Sequence, residues 1–286
     1  MGARALRFSD AGPADGLLVF TDLDGTLLDH DDYSWEPARS VLGRLRELGY
    51  PVVLTSSKTL AELEAVQRDL GLAGPVISEN GTLLALPPAL APETAPGPSL
   101  EAIGPWLAQR RSPAYDTIVQ ALADLRAERG YRFVGFSDLS ITDIARITGL
   151  ASKAAEAAQR RDGSEPLLWQ DAPERLTELD SDLARLGLRR LTGGRFQHVL
   201  GAGASKAAAM TALCSILAEG GHAFATTVAL GDGPNDLDML AAADVPVLVT
   251  NPKAPAFDTT GIPGLVRTRG HGPAGWAEAI GALLGE

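Results

Sequence analysis

One stretch constrains this chain more than any other: Leu17-Leu18-Val19-Phe20-Thr21-Asp22-Leu23-Asp24-Gly25-Thr26-Leu27-Leu28. The apolar run Leu17 to Phe20 has the character of a buried strand. It then delivers two carboxylates, Asp22 and Asp24, and a glycine. Residues i and i+2 of an extended backbone face the same way, so both aspartates can leave the strand pointing into one crevice. Gly25 lets the backbone turn away sharply. Open α/β sheets place ligand sites at the carboxyl ends of their strands, where this pair would sit.

Two like charges this close repel and need something to hold them. A hard divalent cation does so, and Mg²⁺ takes oxygen ligands, commonly one or two carboxylates with waters and substrate phosphate. An aspartate can also attack phosphorus and form an aspartyl-phosphate. A neighbouring carboxylic acid can protonate the leaving oxygen and later activate water. Taken alone, Asp-x-Asp-Gly is more often a turn or a helix cap.

Further along, the pattern predicts alternating strands and helices. Residues 1–15 read as a ragged terminus. Asp29-His30-Asp31-Asp32 fails as a calcium loop, because Ser34 and Ser40 stand where the glycine and terminal glutamate belong. Ser34 is the expected cap of a helix to Leu48, and Pro51 to Leu54 the second strand. That strand ends in Thr55-Ser56-Ser57-Lys58-Thr59, whose hydroxyls and lysine can hold a phosphate, while Thr59 can cap the next helix. Val76-Ile77 is a short strand before Ser78-Glu79-Asn80-Gly81, a hairpin signal that can also line the crevice. This order is that of a doubly wound parallel sheet, a Rossmann-like α/β core. It breaks at Leu86, and the Pro- and Ala-rich residues 86–100 read as a linker.

Residues from about 100 to 190 read as an inserted α+β lobe, with helices around 118–125, 142–149, 152–161 and 176–186 and strands at 131–136 and 167–169. As isolated residues, Asp138, Arg161, Ser164 and Glu165 read as surface groups. As Arg161-Asp-Gly-Ser-Glu-Pro166, the last three belong to a loop that can face the crevice. Gly201-Ala-Gly-Ala-Ser-Lys206 satisfies neither the dinucleotide fingerprint nor the phosphate loop. Lys206 opens a helix to about Leu217, and beside two aspartates it could hold a phosphoryl group. The strand Thr226 to Leu230 ends in Gly231-Asp-Gly-Pro-Asn-Asp236, a tight turn able to return Asp232 and Asp236 to one place. A strand at Val245 to Val249 and a helix at Ala277 to Leu284 follow.

In chain order, Asp22-Leu-Asp-Gly-Thr26, Ser56 after a strand, Lys206 and Gly231-Asp-Gly-Pro-Asn-Asp236 resemble the four motifs of the haloacid dehalogenase superfamily. Within it, the chain looks like the mannosyl-3-phosphoglycerate phosphatase family. The strings behind this are Thr55-Ser-Ser-Lys-Thr59, Glu79-Asn-Gly81, Gly135-Phe-Ser-Asp-Leu-Ser140, Arg161-Asp-Gly-Ser-Glu-Pro166 and Gly193-Gly-Arg-Phe-Gln-His198. One departure is Ser205-Lys206-Ala207, where that family commonly has Asp-Lys-Gly.

The resemblance implies a catalytic core from residues 1–85 and 191–286 and an inserted cap from 86–190. It implies Asp22 as nucleophile and Asp24 as acid/base, with Ser56 and Lys206 on the phosphoryl oxygens. Mg²⁺ would be held by Asp22, Asp232 and the backbone carbonyl of Asp24, supported by Asp236. Ser57, Lys58, Asn80, Arg161, Ser164, Arg195 and His198 complete the expected substrate contacts. The implied reaction removes phosphate from mannosyl-3-phosphoglycerate. The glucosyl analogue or another sugar phosphate is the alternative, and a phosphomutase a more distant one.

Composition narrows the setting. Of 286 residues, 45% are hydrophobic and 21% charged, as in a soluble globular chain with an ample core. A net charge of −11 argues against nucleic acid as partner. Cys214 is the lone cysteine, so no internal disulfide forms, which fits a reducing compartment. No signal peptide and no membrane span are read, and the expected location is cytoplasmic. The number of chains in the assembly is left open.

Overall fold

The computed structural model describes residues 16–92, 100–222, 224–254 and 256–286. The ragged terminus read at 1–15, and 93–99 of the expected linker, lie outside them. In chain order the described residues form β1 (Leu17–Thr21), α1 (Arg39–Glu47), β2 (Val52–Thr55), α2 (Leu60–Leu70), β3 (Val76–Ser78), β4 (Leu83–Leu86), β5 (Glu101–Ile103) and β6 (Trp106–Arg110). Then come α3 (Tyr115–Arg129), β7 (Phe133–Gly135), α4 (Ile141–Thr148), α5 (Ser152–Gln159), β8 (Ser164–Trp169), α6 (Arg175–Arg185), β9 (Leu188–Gly193) and β10 (Phe196–Gly201). The last are α7 (Lys206–Glu219), β11 (Thr226–Gly231), α8 (Leu237–Ala242), β12 (Val245–Thr250), β13 (Val266–His271) and α9 (Gly272–Leu284). They fall into two compact units, one of residues 16–56, 87–92 and 210–286, the other of 57–86 and 100–209.

In the first unit, parallel strands run in the order β13-β12-β11-β1-β2. The chain moves from β1 to one side and resumes, with β11, on the other. The crevice between β1 and β11 is therefore the topological switch point, where open α/β sheets bind ligands. Leu17, Leu18, Val19 and Phe20 are all buried, as an apolar run in a parallel strand requires. Helix α9 packs on β12, β13 and α1. Its Trp276 is fully buried, and the indole donates to Thr21 Oγ1 at 3.0 Å, so the one polar atom of that ring is satisfied. Thr21 in turn donates to the Asp22 carbonyl at 2.7 Å.

The helix before β2 differs from its expectation. Pro37 sets a 3₁₀ turn, Glu36–Ala38, and α1 starts only at Arg39, so Ser34 lies too far upstream to cap it. The Ser34 hydroxyl accepts instead from the Glu36 N–H at 3.4 Å.

In the second unit the strands β3-β4-β6-β5 pair antiparallel, and β7-β8-β10-β9 form a four-stranded antiparallel sheet of their own. Helix α2 begins with the expected cap: Thr59 Oγ1 accepts from the Glu62 N–H at 3.2 Å, and Glu62 returns the bond to the Thr59 N–H at 2.9 Å. The hairpin signal at Asn80-Gly81 is met by β3 and β4, whose turn carries positive φ at Glu79, Asn80 and Gly81. The parallel order thus ends at β4, before Leu86. Ile118, Leu122, Leu125, Phe133, Leu167, Leu179, Leu183 and Val199 make one core, and Phe136, Ile144, Ala155 and Ala158 a second. The sheet β7-β8-β10-β9 runs to Gly201, past the expected cap limit at 190, and 57–86 group with this unit because β4 is laddered to β6. No helix among the described residues is long and apolar enough to cross a membrane.

Candidate active site

The carboxylates of Asp22, Asp232 and Asp236 each offer an oxygen, and these lie within 4.8 Å of one another. All three residues are buried. Register explains the meeting: Thr21 pairs with Leu230, so the residues just past β1 and β11 emerge side by side at the switch point. The turn after β11 is closed by Asp236, whose Oδ2 accepts from the N–H groups of Asp232 and Gly233 at 3.1 and 3.0 Å. Gly231 has to be glycine here, because a Cβ would stand 2.4 Å from the Asp236 Cβ.

The other side of the site is a closed loop. β1 ends at Thr21, but the Asp22 N–H still donates to the Leu230 carbonyl at 2.9 Å, so the ladder to β11 holds Asp22 and the turn that follows carries Asp24. The N–H groups of Thr26 and Leu28 both donate to the Leu23 carbonyl, at 3.0 and 2.8 Å, and the Gly25 N–H donates to Leu28. Gly25 sits at φ +83°, and a Cβ there would lie 2.7 Å from Asp232 Oδ2. Asp24 is half-buried and lies outside the three-carboxylate cluster. Ser56, buried, follows β2 in the same unit. Two residues that sequence reading passed over hold Asp232: Thr26 Oγ1 donates to its Oδ1 at 2.9 Å, and Asn251 Nδ2 to its Oδ2 at 2.6 Å. The signal for Asn251 was its place directly after β12, another parallel strand end. Three buried carboxylates with oxygens this close are a donor set for a hard divalent cation such as Mg²⁺.

The remaining expected site residues lie in the second unit. Lys206 is buried at the first position of α7, after Ser205, whose hydroxyl accepts from the Ala208 N–H at 3.0 Å. Ser57 and Lys58 are half-buried, and the Lys58 carbonyl accepts from the Glu79 N–H at 2.9 Å. Asn80 is buried at φ +57°, and its Oδ1 has no hydrogen-bond partner among the described residues.

Arg161, Ser164 and Glu165 are corrected from surface groups to buried ones. The Arg161 side chain is 3% exposed and ion-paired with the fully buried Glu79 at 3.3 Å. The Nε of that pair also donates to the Ser164 carbonyl at 2.8 Å, and Nη2 donates to the Ser164 hydroxyl at 2.8 Å and the Ser57 carbonyl at 3.1 Å. Glu79 also accepts from the Asp162 N–H and the Ser164 hydroxyl, at 2.6 and 2.7 Å. Together they pin residues 161–164 to the β3–β4 turn; Ser164 and Glu165, expected in a loop, already belong to β8, laddered to β10. Glu165 takes bonds from Ser137 and Tyr115, and burial pushes its pKa up against those bonds. His198, on β10, is pushed down to about 3 by burial and then by the Arg161 cation, so the ring is neutral at ordinary pH. Arg195 is exposed and donates to the Ile147 carbonyl. Asp138 forms a half-exposed pair with Arg126 at 2.8 Å.

Three buried carboxylates meeting at the switch point of a parallel sheet define an α/β protein with a candidate cation site. The profile of the haloacid dehalogenase-like hydrolases matches residues 19–88 and 170–258, more than half of the chain. The chain belongs to that family. Solved structures agree in fold. A Bacteroides thetaiotaomicron phosphatase of the same superfamily superposes with a TM-score of 0.64 at 17% identity, over 97% of this chain and 98% of its own. A sugar phosphatase of subclass IIB gives 0.62 at 16%, over 94% and 98%. A structure from Streptococcus mutans gives 0.66 at 16%, over 94% and 99%.

Proposed function

We propose that this chain is a Mg²⁺-dependent phosphatase that hydrolyses mannosyl-3-phosphoglycerate to mannosylglycerate and phosphate. The carrying observation is the meeting of Asp22 with Asp232 and Asp236 beside an Asp-Leu-Asp-Gly-Thr loop. In this reading Asp22 attacks phosphorus while Asp24 protonates the departing sugar-acid oxygen. Asp24 then takes a proton from water, which cleaves the aspartyl-phosphate on Asp22. Ser56 and Lys206 hold the phosphoryl oxygens. Asp22, Asp232 and the Asp24 carbonyl hold the cation, and Asp236 fixes the loop that presents Asp232. Bound Mg²⁺ supplies positive charge against the phosphoryl oxygens.

The α+β lobe that carries the β7-β8-β10-β9 sheet serves in this reading as the cap that chooses the sugar, and the enzyme works in the cytoplasm on a small phosphorylated sugar. Ser57, Lys58, Asn80, Arg195 and His198 stay on the substrate side. Arg161 and Ser164 act by fixing the start of β8, since their polar groups already bond protein. The sub-family strings around these residues support the mannosyl substrate. Ser205-Lys206-Ala207, in place of Asp-Lys-Gly, favours a second reading, a phosphatase for the glucosyl analogue or another sugar phosphate.

Phosphate release is the test, measured on mannosyl-3-phosphoglycerate and on a panel of competing sugar phosphates. Turnover should need Mg²⁺ and stop with chelator. Asp22→Asn should lose on the order of 10³-fold or more, because an amide is no nucleophile. Activity indifferent to chelation, or full activity in Asp22→Asn, overturns the proposal. Preference for another panel member moves it to the second reading.

A further inference from the structure

We propose that Asn251 sets the cation preference of the Asp22–Asp232–Asp236 cluster. It does so by holding Asp232 in an orientation that offers an ion one oxygen rather than two. This rests on the cation-binding reading above and adds to it a residue and a selectivity.

The geometry is a clamp with two jaws. Thr26 Oγ1 donates to Asp232 Oδ1 at 2.9 Å, and Asn251 Nδ2 to Oδ2 at 2.6 Å. The Thr26 side chain is buried and comes from the β1 loop; Asn251 comes from the end of β12. The Asn251 amide has no freedom to flip, because its Oδ1 accepts from the Lys253 N–H at 2.9 Å, which leaves the NH₂ facing Asp232. Gly25 makes room for the contact: a Cβ there would stand 2.7 Å from Asp232 Oδ2 and 2.9 Å from Asn251 Nδ2.

A carboxylate gripped at both oxygens by separate loops is fixed in plane and tilt. To embrace an ion with both oxygens it would have to turn the lone pair left on each oxygen toward one point, and the two bonds resist that turn. Ions differ in how much they need that rotation. Mg²⁺ demands a near-regular octahedron with bonds of about 2.1 Å, which single oxygens satisfy. Ca²⁺ collects about six to eight oxygens at roughly 2.3–2.6 Å and readily takes carboxylates two oxygens at a time. The clamp therefore costs Ca²⁺ more than Mg²⁺. Asn251 is a positioning residue, since it acts through Asp232.

The test is calorimetric titration of the substrate-free protein with Mg²⁺ and, separately, with Ca²⁺. Asn251→Ala removes one jaw; Thr26→Val removes the other while keeping the shape of a buried side chain. Circular dichroism spectra check that both variants are folded. The expected result is a change of about tenfold, toward Ca²⁺, in the ratio of the two dissociation constants for Asn251→Ala. A smaller change in the same direction is expected for Thr26→Val. A purely structural role would weaken both ions by the same factor, and an unchanged ratio in both folded variants overturns the inference. Wild-type protein that takes up neither ion is a different failure, that of the cation site itself.

Discussion

His198 carries a pH dependence that its neighbours impose. The unfolded imidazole titrates near its ordinary value of 6.5, the folded one at about 3. Between these values the unfolded state holds more protons, so stability is complete above the upper value and is lost as pH falls toward the lower. Each pH unit in that window removes up to about 1.4 kcal/mol. Urea unfolding at pH 7.5 and 5.5 should show this loss in the wild type and a smaller one in His198→Gln. The neighbouring Glu79–Arg161 pair makes a second residue-scale prediction. Both side chains are buried, so Glu79→Gln leaves an uncompensated guanidinium and should cost about 3–5 kcal/mol in the same assay. Sequence reading could not see the pair, because the partners are 82 residues apart and only the fold decides that both lie inside.

At the scale of elements, what was legible was what is local. β1 and β11 announce themselves by continuous apolar residues, and α2 by a threonine three positions before a glutamate. Thr59→Ala removes that cap, together with a bond from Thr59 Oγ1 to the Ala157 carbonyl. The loss should be about 1–2 kcal/mol, read as a lower urea midpoint with unchanged slope. The strands that escaped are those whose burial depends on a distant partner. β5 exposes two of its three residues, and β13, Val-Arg-Thr-Arg-Gly-His, exposes its charged residues at alternate positions but has only Val266 as an apolar side chain to mark the inner face. β9 and β10 form a hairpin whose turn, Gly194-Arg195, carries no strong hairpin dipeptide. The start of α1 was misplaced because Pro37 tightens the chain into a 3₁₀ turn before the helix proper.

For the whole molecule, the cation should act as a stabilising ligand, since the unfolded chain has no such cluster. Saturation at about a hundred times the dissociation constant adds about 2.7 kcal/mol. Thermal melts with and without Mg²⁺ should therefore separate in the wild type and coincide in Asp236→Asn, where the loop presenting Asp232 loses its charged acceptor. Asp22, Asp232 and Asp236 were legible together because each follows a strand-like run or closes a glycine-proline turn. Thr26 and Asn251 were not, because a hydroxyl and an amide become telling only once the carboxylate they grip is seen.

The placement of β1 between β2 and β11 also bears on how a ribosome delivers this protein. β2 emerges soon after β1, but β11 is encoded some 200 codons downstream, and Thr26 waits 206 residues for its carboxylate partner. Throughout that interval of translation Leu17 to Thr21 has one bare edge and an uncovered greasy face, the combination that invites stray strand pairing. Nascent copies are thus most vulnerable to clumping before β11 is made, and the same late event that shields this segment also assembles the acidic cluster.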